Sequence, residues 1–198
     1  TVACGETITL VWDLVDGVTN MGTVSKTFLV GTLSPVATLS QNFDAVVAPA
    51  LPVGWTQNQI FGNGINWITS VTNPNSAPNM AIANDPATQQ TTALESPSFL
   101  VQSAAATVAF QKAFTTEATW DGVVFEIKIG AGAWTDILAA GGSFTIGGYN
   151  GTISGAATTT LAGRSAWTGT SAIFTPTTVL LPDAALGQNI KFRWVMAV

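Results

Sequence analysis

The sequence predicts an all-β protein, an antiparallel β-sandwich or jelly roll preceded by a β-hairpin. Three observations predict it. Apolar residues recur at every second position in several short runs, and clusters of Gly, Pro, Asn and Asp separate those runs at roughly 8 to 12 residue spacing. Almost no stretch carries the 3.6-residue period of an amphipathic helix. Many short strands joined by turn-rich segments fill two packed sheets more naturally than any helical layer.

The clearest strand is 123–129. Val123, Phe125, Ile127 and Ile129 alternate with Val124, Glu126 and Lys128, Asp121-Gly122 precedes them and Gly130-Ala131-Gly132 follows. That period of two predicts a half-buried strand. At the N-terminus, Ile8, Leu10, Trp12 and Leu14 are apolar while Thr7, Thr9 and Asp13 intervene, and Val24, Phe28 and Val30 repeat the habit after a loop rich in Gly, Asn and Asp. These two runs predict an antiparallel hairpin over residues 1–31. A two-stranded hairpin is marginal alone in water, so it is expected either to dock on the following domain or to insert into another chain. Residues 32–42, with a proline, small side chains and no charge, read as an extended linker, long enough to reach roughly 40 Å.

The sandwich is expected over 43–198. It opens among turn signals, with Trp55 and Trp67 as plugs beneath short loops. A polar loop runs from Asp85 to Thr92, and 93–101 follows as a strand with Pro97 at an edge or entry point. The alanine-rich segment 105–114 reads as strand rather than helix, because Thr and Val accompany its alanines. The glycine-rich stretch 141–155 reads as a flexible surface loop, and a further polar loop reaches Gly169. Strands at 173–181 and 189–195 close the chain, the latter with Ile190, Phe192 and Trp194 alternating with Lys191 and Arg193.

Composition narrows the function classes. Of 198 residues 47% are hydrophobic, ample for a core, but only 9% are charged, roughly a third of the usual share. The surface is therefore built of Thr, Ser, Asn, Gln and Gly, which suits extracellular and surface-assembled β proteins. Six basic and eleven acidic residues give a net charge of -5 with no basic cluster, so no nucleic-acid partner is expected. No run is long and apolar enough for a membrane span. No charged-then-apolar leader opens the chain, and the expectation is a mature or excised piece of a longer protein. Cys4 is the lone cysteine, so no disulfide closes within the chain; it reads as a small buried or edge residue.

Histidine is absent, which removes Ser-His-Asp and Cys-His catalysis and imidazole-held zinc. Asp121 with Glu126 or Asp136 is the only acidic cluster in sequence, and residues 121 and 126, five apart, would face opposite sides of one strand. No enzyme is expected. Asn150-Gly151-Thr152 matches a glycosylation sequon that also occurs often by chance.

An ordered series of short pieces carries a family resemblance: Phe43-Asp44, Leu51-Pro52-Val53-Gly54-Trp55, Trp67, Ser76-Ala77-Pro78-Asn79, Leu94-Glu95-Ser96-Pro97, Trp120-Asp121-Gly122, Trp134-Thr135-Asp136-Ile137, Gly148-Tyr149, the run from Leu161 to Trp167, and Phe192-Arg193-Trp194. From Phe43 onward the chain resembles the MAM-like, concanavalin/laminin-G-type jelly-roll domains of bacterial secreted and surface-anchored modular proteins. Residues 1–31 resemble the last strands of an immunoglobulin-like unit. The resemblance implies a non-catalytic extracellular module for adhesion, glycan contact or scaffolding, with calcium in some relatives. Asp121, Glu126 and Asp85 are the candidate calcium ligands, although Gln89-Gln90-Thr91-Thr92 stands where relatives carry acids.

Two functions follow as expectations. The first is a self-assembling filament or surface-layer subunit joined by β-strand addition, with Ile8, Leu10, Trp12, Leu14, Val24, Phe28 and Val30 as the joining residues and further copies or neighbouring domains as partners. The second is a carbohydrate-binding module using Trp120, Trp134 and Trp167, three of seven tryptophans, each beside a predicted turn.

Overall fold

A computed structural model describes residues 6–29, 31, 39–64 and 67–198. Cys4, Val30 and residues 32–38 of the expected linker lie outside that set. The chain divides into two compact units, one within residues 1–37 and one over 38–198.

The first unit is the expected hairpin. Strands β1 (Thr7–Asp16) and β2 (Thr19–Leu29) pair antiparallel and form a sheet of two strands only. The loop is shorter than the sequence suggested: Gly17 and Val18 alone make the turn, with Gly17 at φ +62°. A positive φ at the first loop position is what a two-residue hairpin turn of matching twist requires, and glycine adopts it without strain. Asn20, Met21 and Gly22 belong to β2, where a bulge opposite Leu14 and Val15 absorbs one extra residue. The register pairs Ile8 with Phe28, Leu10 with Lys26 and Trp12 with Val24, which puts Ile8, Leu10, Trp12, Leu14, Val24 and Phe28 on one face, while Val11 and Val15 lie exposed on the other. Thr9 and Thr27 meet across the other face through their hydroxyls at 3.0 Å. Every described side chain of β1 is exposed, including Ile8 at 39% and Trp12 at 49%.

The second unit is an all-β antiparallel sandwich. Its strands are β3 (Thr56–Phe61), β4 (Ile68–Ser70), β5 (Met80–Ile82), β6 (Thr91–Glu95), β7 (Phe99–Leu100), β8 (Thr107–Thr115), β9 (Gly122–Ile129), β10 (Trp134–Asp136), β11 (Ser143–Ile146), β12 (Gly151–Thr152), β13 (Ser165–Ala166), β14 (Thr170–Leu180) and β15 (Asn189–Ala197). The larger sheet runs β10-β9-β15-β6-β3, with β7 also on β15, and the smaller runs β11-β14-β8. Between them lie Phe125, Ile127, Phe192 and Trp167, with Phe110 against Phe125, Trp167 and Trp194 at 5.2 to 5.8 Å between ring centres. Such tilted and edge-on aromatic pairs are each worth about 1 kcal/mol beyond simple burial.

The segment 105–114 is strand, as its Thr and Val content predicted, and Pro97 splits 93–101 into β6 and β7. Three expectations change. β9 is covered on both faces, since Val124 on the far side is fully buried beside Ile153, Leu161, Ala166 and Val195. The stretch 141–166 is therefore no free surface loop; its later part is the cover over that face. β6 begins at Thr91, inside the predicted polar loop, because Thr91 and Thr92 are buried with their hydroxyls bonded to Thr160 and to the Asn58 carbonyl. Gly122 allows the close approach of cover and sheet, because a Cβ there would meet the Trp167 carbonyl at 2.7 Å.

The motif pieces at the start of the unit form a clasp. Asp44 accepts from the Asn79 backbone N–H at 3.0 Å and the Ser76 hydroxyl at 3.0 Å, and buried Asn79 donates to the carbonyls of Phe43 and Val46. Trp55 stacks on Trp194 beside Phe43. These residues hold a loop in place rather than bind a ligand.

Candidate functional site

Register across the larger sheet places Asp136, Glu126, Arg193, Glu95 and Thr56 in one transverse row, each directly opposite the next. All five sit on the face opposite the aromatic core, because alternation along β9 and β15 sends Phe125 and Trp194 inward and Glu126 and Arg193 outward. Glu126, only 5% exposed, is held from two sides. Arg164, carried in by the cover segment, reaches its Oε1 at 2.7 Å, and Arg193 brings both Nε and Nη2 to its Oε2 at 2.6 Å. Arg164 also contacts Asp136 Oδ2 at 3.1 Å. Burial opposes the Arg164 charge, but hydrogen bonds to Glu126 and Asp136 and their negative charges outweigh it, so its pKa is raised.

Tyr149 closes one end. Its hydroxyl accepts from the Phe125 N–H at 2.9 Å and donates to Asp136 Oδ2 at 3.0 Å, filling the edge of β9. Burial, and then the neighbouring Asp136, push the phenol well above its ordinary pKa despite a bond to the Phe125 backbone, so it remains a donor. At the other end Lys191 pairs with Glu95 at 3.0 Å. Three cations thus meet three carboxylates, and the row is locally neutral. Both oxygens of Glu126 are engaged by arginine, and two adjacent guanidinium charges oppose a further cation there, whereas calcium needs six to eight oxygen ligands. Among the described residues no three acidic or thiol side chains come close enough to hold a metal ion. The calcium set Asp121, Glu126 and Asp85 therefore does not fit.

The sugar-binding candidates also separate. Trp167 is 2% exposed, packed against Phe110, Phe144 and Tyr149, and its indole N–H donates to the Gly148 carbonyl at 2.8 Å. Trp134 is half-buried, with Arg193 at 4.6 Å and Lys191 at 5.9 Å from its ring centre, so cations already occupy part of its π surface. Trp120 alone, 41% exposed, borders an open groove of about 460 Å³.

Asp85 and Asp121 line the same groove, joined by Glu117, with Thr88, Gln89 and Thr158. No basic residue lines it. Glu117 and Asp121 come together because the Asp121 N–H bonds the Glu117 carbonyl at 3.0 Å, a single turn that places residues four apart on one side. That spacing was present in Glu117-Ala118-Thr119-Trp120-Asp121, but Glu117 was not singled out. Burial raises the Asp85 carboxyl, and the charge of Glu117 adds to it. Burial also raises Asp121, followed by the charges of Asp85 and Glu117, against a backbone hydrogen bond from Glu117. The sequon asparagine is in use: Asn150 Nδ2 donates to the Thr168 carbonyl and its Oδ1 accepts from the Thr168 N–H, both at 2.9 Å.

The hairpin candidates Ile8, Leu10, Trp12, Leu14, Val24 and Phe28 form the third feature, one exposed apolar face on a two-stranded ribbon. No family model, no curated protein and no solved structure matches this chain.

Proposed function

We propose that this chain is a non-catalytic structural module of an extracellular or cell-surface assembly, joined copy to copy through its N-terminal hairpin. One observation carries the reading: β1 and β2 present six large apolar side chains on a single exposed face. A ribbon of two strands gains too little from its own pairing to stand in water. Burying one such side chain contributes about 1.5 to 3 kcal/mol, so six supply a strong drive to associate. The body supports a scaffold rather than an enzyme, because its most buried acid, Glu126, is neutralised by two arginines. On this reading the body is a jelly roll of the MAM-like kind, and the low charge content suits a surface that meets neighbouring copies.

Electron microscopy and sedimentation of the full chain beside one lacking residues 1–31 test it. The full chain should form filaments or sheets and the shortened chain should stay monomeric. Polymers from the shortened chain, or none from the full chain, would sink the proposal.

A second reading, a carbohydrate-binding module, is favoured by the groove beside Trp120, where an exposed indole adjoins Asp85, Asp121 and threonine hydroxyls. An aromatic face beside hydrogen-bonding acids is the chemistry that holds a sugar ring. A glycan array should then give signals that Trp120→Ala abolishes; a blank array removes this reading.

A further inference from the structure

We infer that the acceptor for the hairpin is the free edge of β8 in a second copy of the chain, an inference that rests on the assembly reading above. β8 is nine residues long and, among the described residues, pairs with β14 on one side and with no strand on the other. Among the described residues, the backbone groups of 107–115 bond only to β14. An open edge of this length is a template for an incoming strand, and natural sheets usually blunt such edges with proline, bulges or charge. The irregularity in its pairing lies in β14, which carries two extra residues between Ser171 and Thr175, while β8 has none inserted. β8 contains no proline, and its one charge, Lys112, turns aside to the Gly147 carbonyl and the Thr177 hydroxyl.

The other edges are poorer templates. β3 has six residues, an irregular register after Gln59, and the Gln59 amide folded back onto the Phe61 carbonyl. β10 has three residues, and β11 has four with a register shift.

Both faces of the hairpin match the faces of β8. Val108, Phe110 and Phe114 are partly buried against the core, while Thr107, Ala109, Gln111, Ala113 and Thr115 are exposed. A strand that turns its main apolar side the same way as Phe110 continues the inner layer and leaves Thr7, Thr9, Val11, Asp13 and Val15 outward. β1 is the better donor strand. Its apolar side, Ile8, Leu10, Trp12 and Leu14, is unbroken, whereas β2 places Lys26 on that side, beside what would become Lys112. The sheet β11-β14-β8 has no carboxylate, so nothing repels Asp13 and Asp16 of an arriving β1.

Among the described residues β1 and β2 pair with each other and β8 pairs with β14, so each copy offers one donor and one acceptor. Copies joined donor to acceptor make a head-to-tail contact, which propagates unless its rotation happens to close. Adding the hairpin brings the three-stranded sheet to the five-strand span of its partner layer.

The test uses full-length chains: a donor variant, Leu10→Asp with Trp12→Asp, and an acceptor variant, Ala109→Asp with Ala113→Asp, whose positions are all exposed. Each alone should be monomeric in sedimentation velocity, with the concentration needed for assembly raised at least about tenfold. Mixed in equal amounts they should form a capped dimer, because one supplies an intact hairpin and the other an intact β8. In the unaltered chain, assembly should slow amide hydrogen exchange within 107–115 about tenfold or more. If the acceptor variant assembles like the unaltered chain while the donor variant does not, β8 is not the acceptor and the hairpin reading survives. Assembly by the donor variant overturns both. An unaltered chain that stays monomeric with 107–115 already protected places the hairpin on its own β8 and overturns the second copy. Unprotected 107–115 in an assembled chain overturns the inference without any mutation.

Discussion

β1 and β9 carry the same sequence signature and meet opposite fates. Each carries four apolar residues at every second position with a mixture of polar residues and valine between them, yet every described side chain of β1 is exposed while β9 is buried along most of its length. The difference lies outside the strands themselves. β9 has β10 and β15 as neighbours, the aromatic core on one side and the 149–166 cover on the other. β1 has β2 alone. Period-two alternation therefore identifies a strand and its apolar side but says nothing about what lies on that side, or on the other. Where the covering element is far away in sequence, or belongs to another molecule, the pattern looks identical.

Substitutions in the two strands can break or sharpen this contrast. The largest effect is expected from Phe125→Ala, about 3 to 5 kcal/mol less stable in urea unfolding, because the ring touches Phe110, Phe192 and Trp194. Trp12→Ala, a comparable truncation, should change monomer stability by under about 0.5 kcal/mol and act on assembly instead. Equal costs at the two positions would erase the distinction. Next comes Glu126→Gln, which leaves Arg164 and Arg193 without their shared counter-charge; about 3 kcal/mol and a melting point lower by roughly 6 to 12 °C are expected. Asp13→Asn on the exposed ribbon should leave the melting point unmoved. Tyr149→Phe removes the acceptor for the Phe125 N–H and a donor to Asp136, for an expected loss of about 1 to 3 kcal/mol by thermal melting.

The smallest change is Asp121→Asn, and its sign is opposite. The folded Asp121 carboxyl titrates above its unfolded value, first because of burial and then because of Asp85 and Glu117. Its ionisation therefore works against the fold, with no penalty below the unfolded pKa and a growing one as pH rises through the folded pKa. The amide should melt about 1 °C higher at pH 7, with the gain fading below about pH 4. A lower melting point at pH 7 would mean the groove acids do not repel one another.

Much of the fold was legible because several strands declare themselves locally. β8, β9, β14 and β15 were found close to their true positions from alternation and turn residues, and the hairpin likewise. β6 was half missed for a physical reason. Thr91 and Thr92 look like loop residues until their hydroxyls find Thr160 and Asn58, partners that no local window contains. The cover segment was missed because glycines and threonines hide the few anchors, Ile153, Leu161 and Ala166, that bind it to the sheet.

The candidate sites show the same division. Asp85 and Asp121 do share a groove, and Trp120 borders it. Glu126 and Trp167 failed as ligand candidates because exposure cannot be read from residue type: one is neutralised by arginines from two separate segments, the other is a core plug. The row Asp136–Glu126–Arg193–Glu95 is invisible in sequence, since it depends on the register of four strands.

That row also alters what a neighbour of this protein encounters. Three of the six basic and three of the eleven acidic residues neutralise each other there, so eight acids face only three lysines elsewhere. The row takes up equal positive and negative charge, so the whole net charge of -5 is carried by the residues outside it. Like molecules then repel at low ionic strength and come together more readily once salt shortens the screening distance to about 8 Å at physiological strength. With the row's own ions paired internally, the remaining charge makes the ionic content of the surroundings a control on how closely copies crowd.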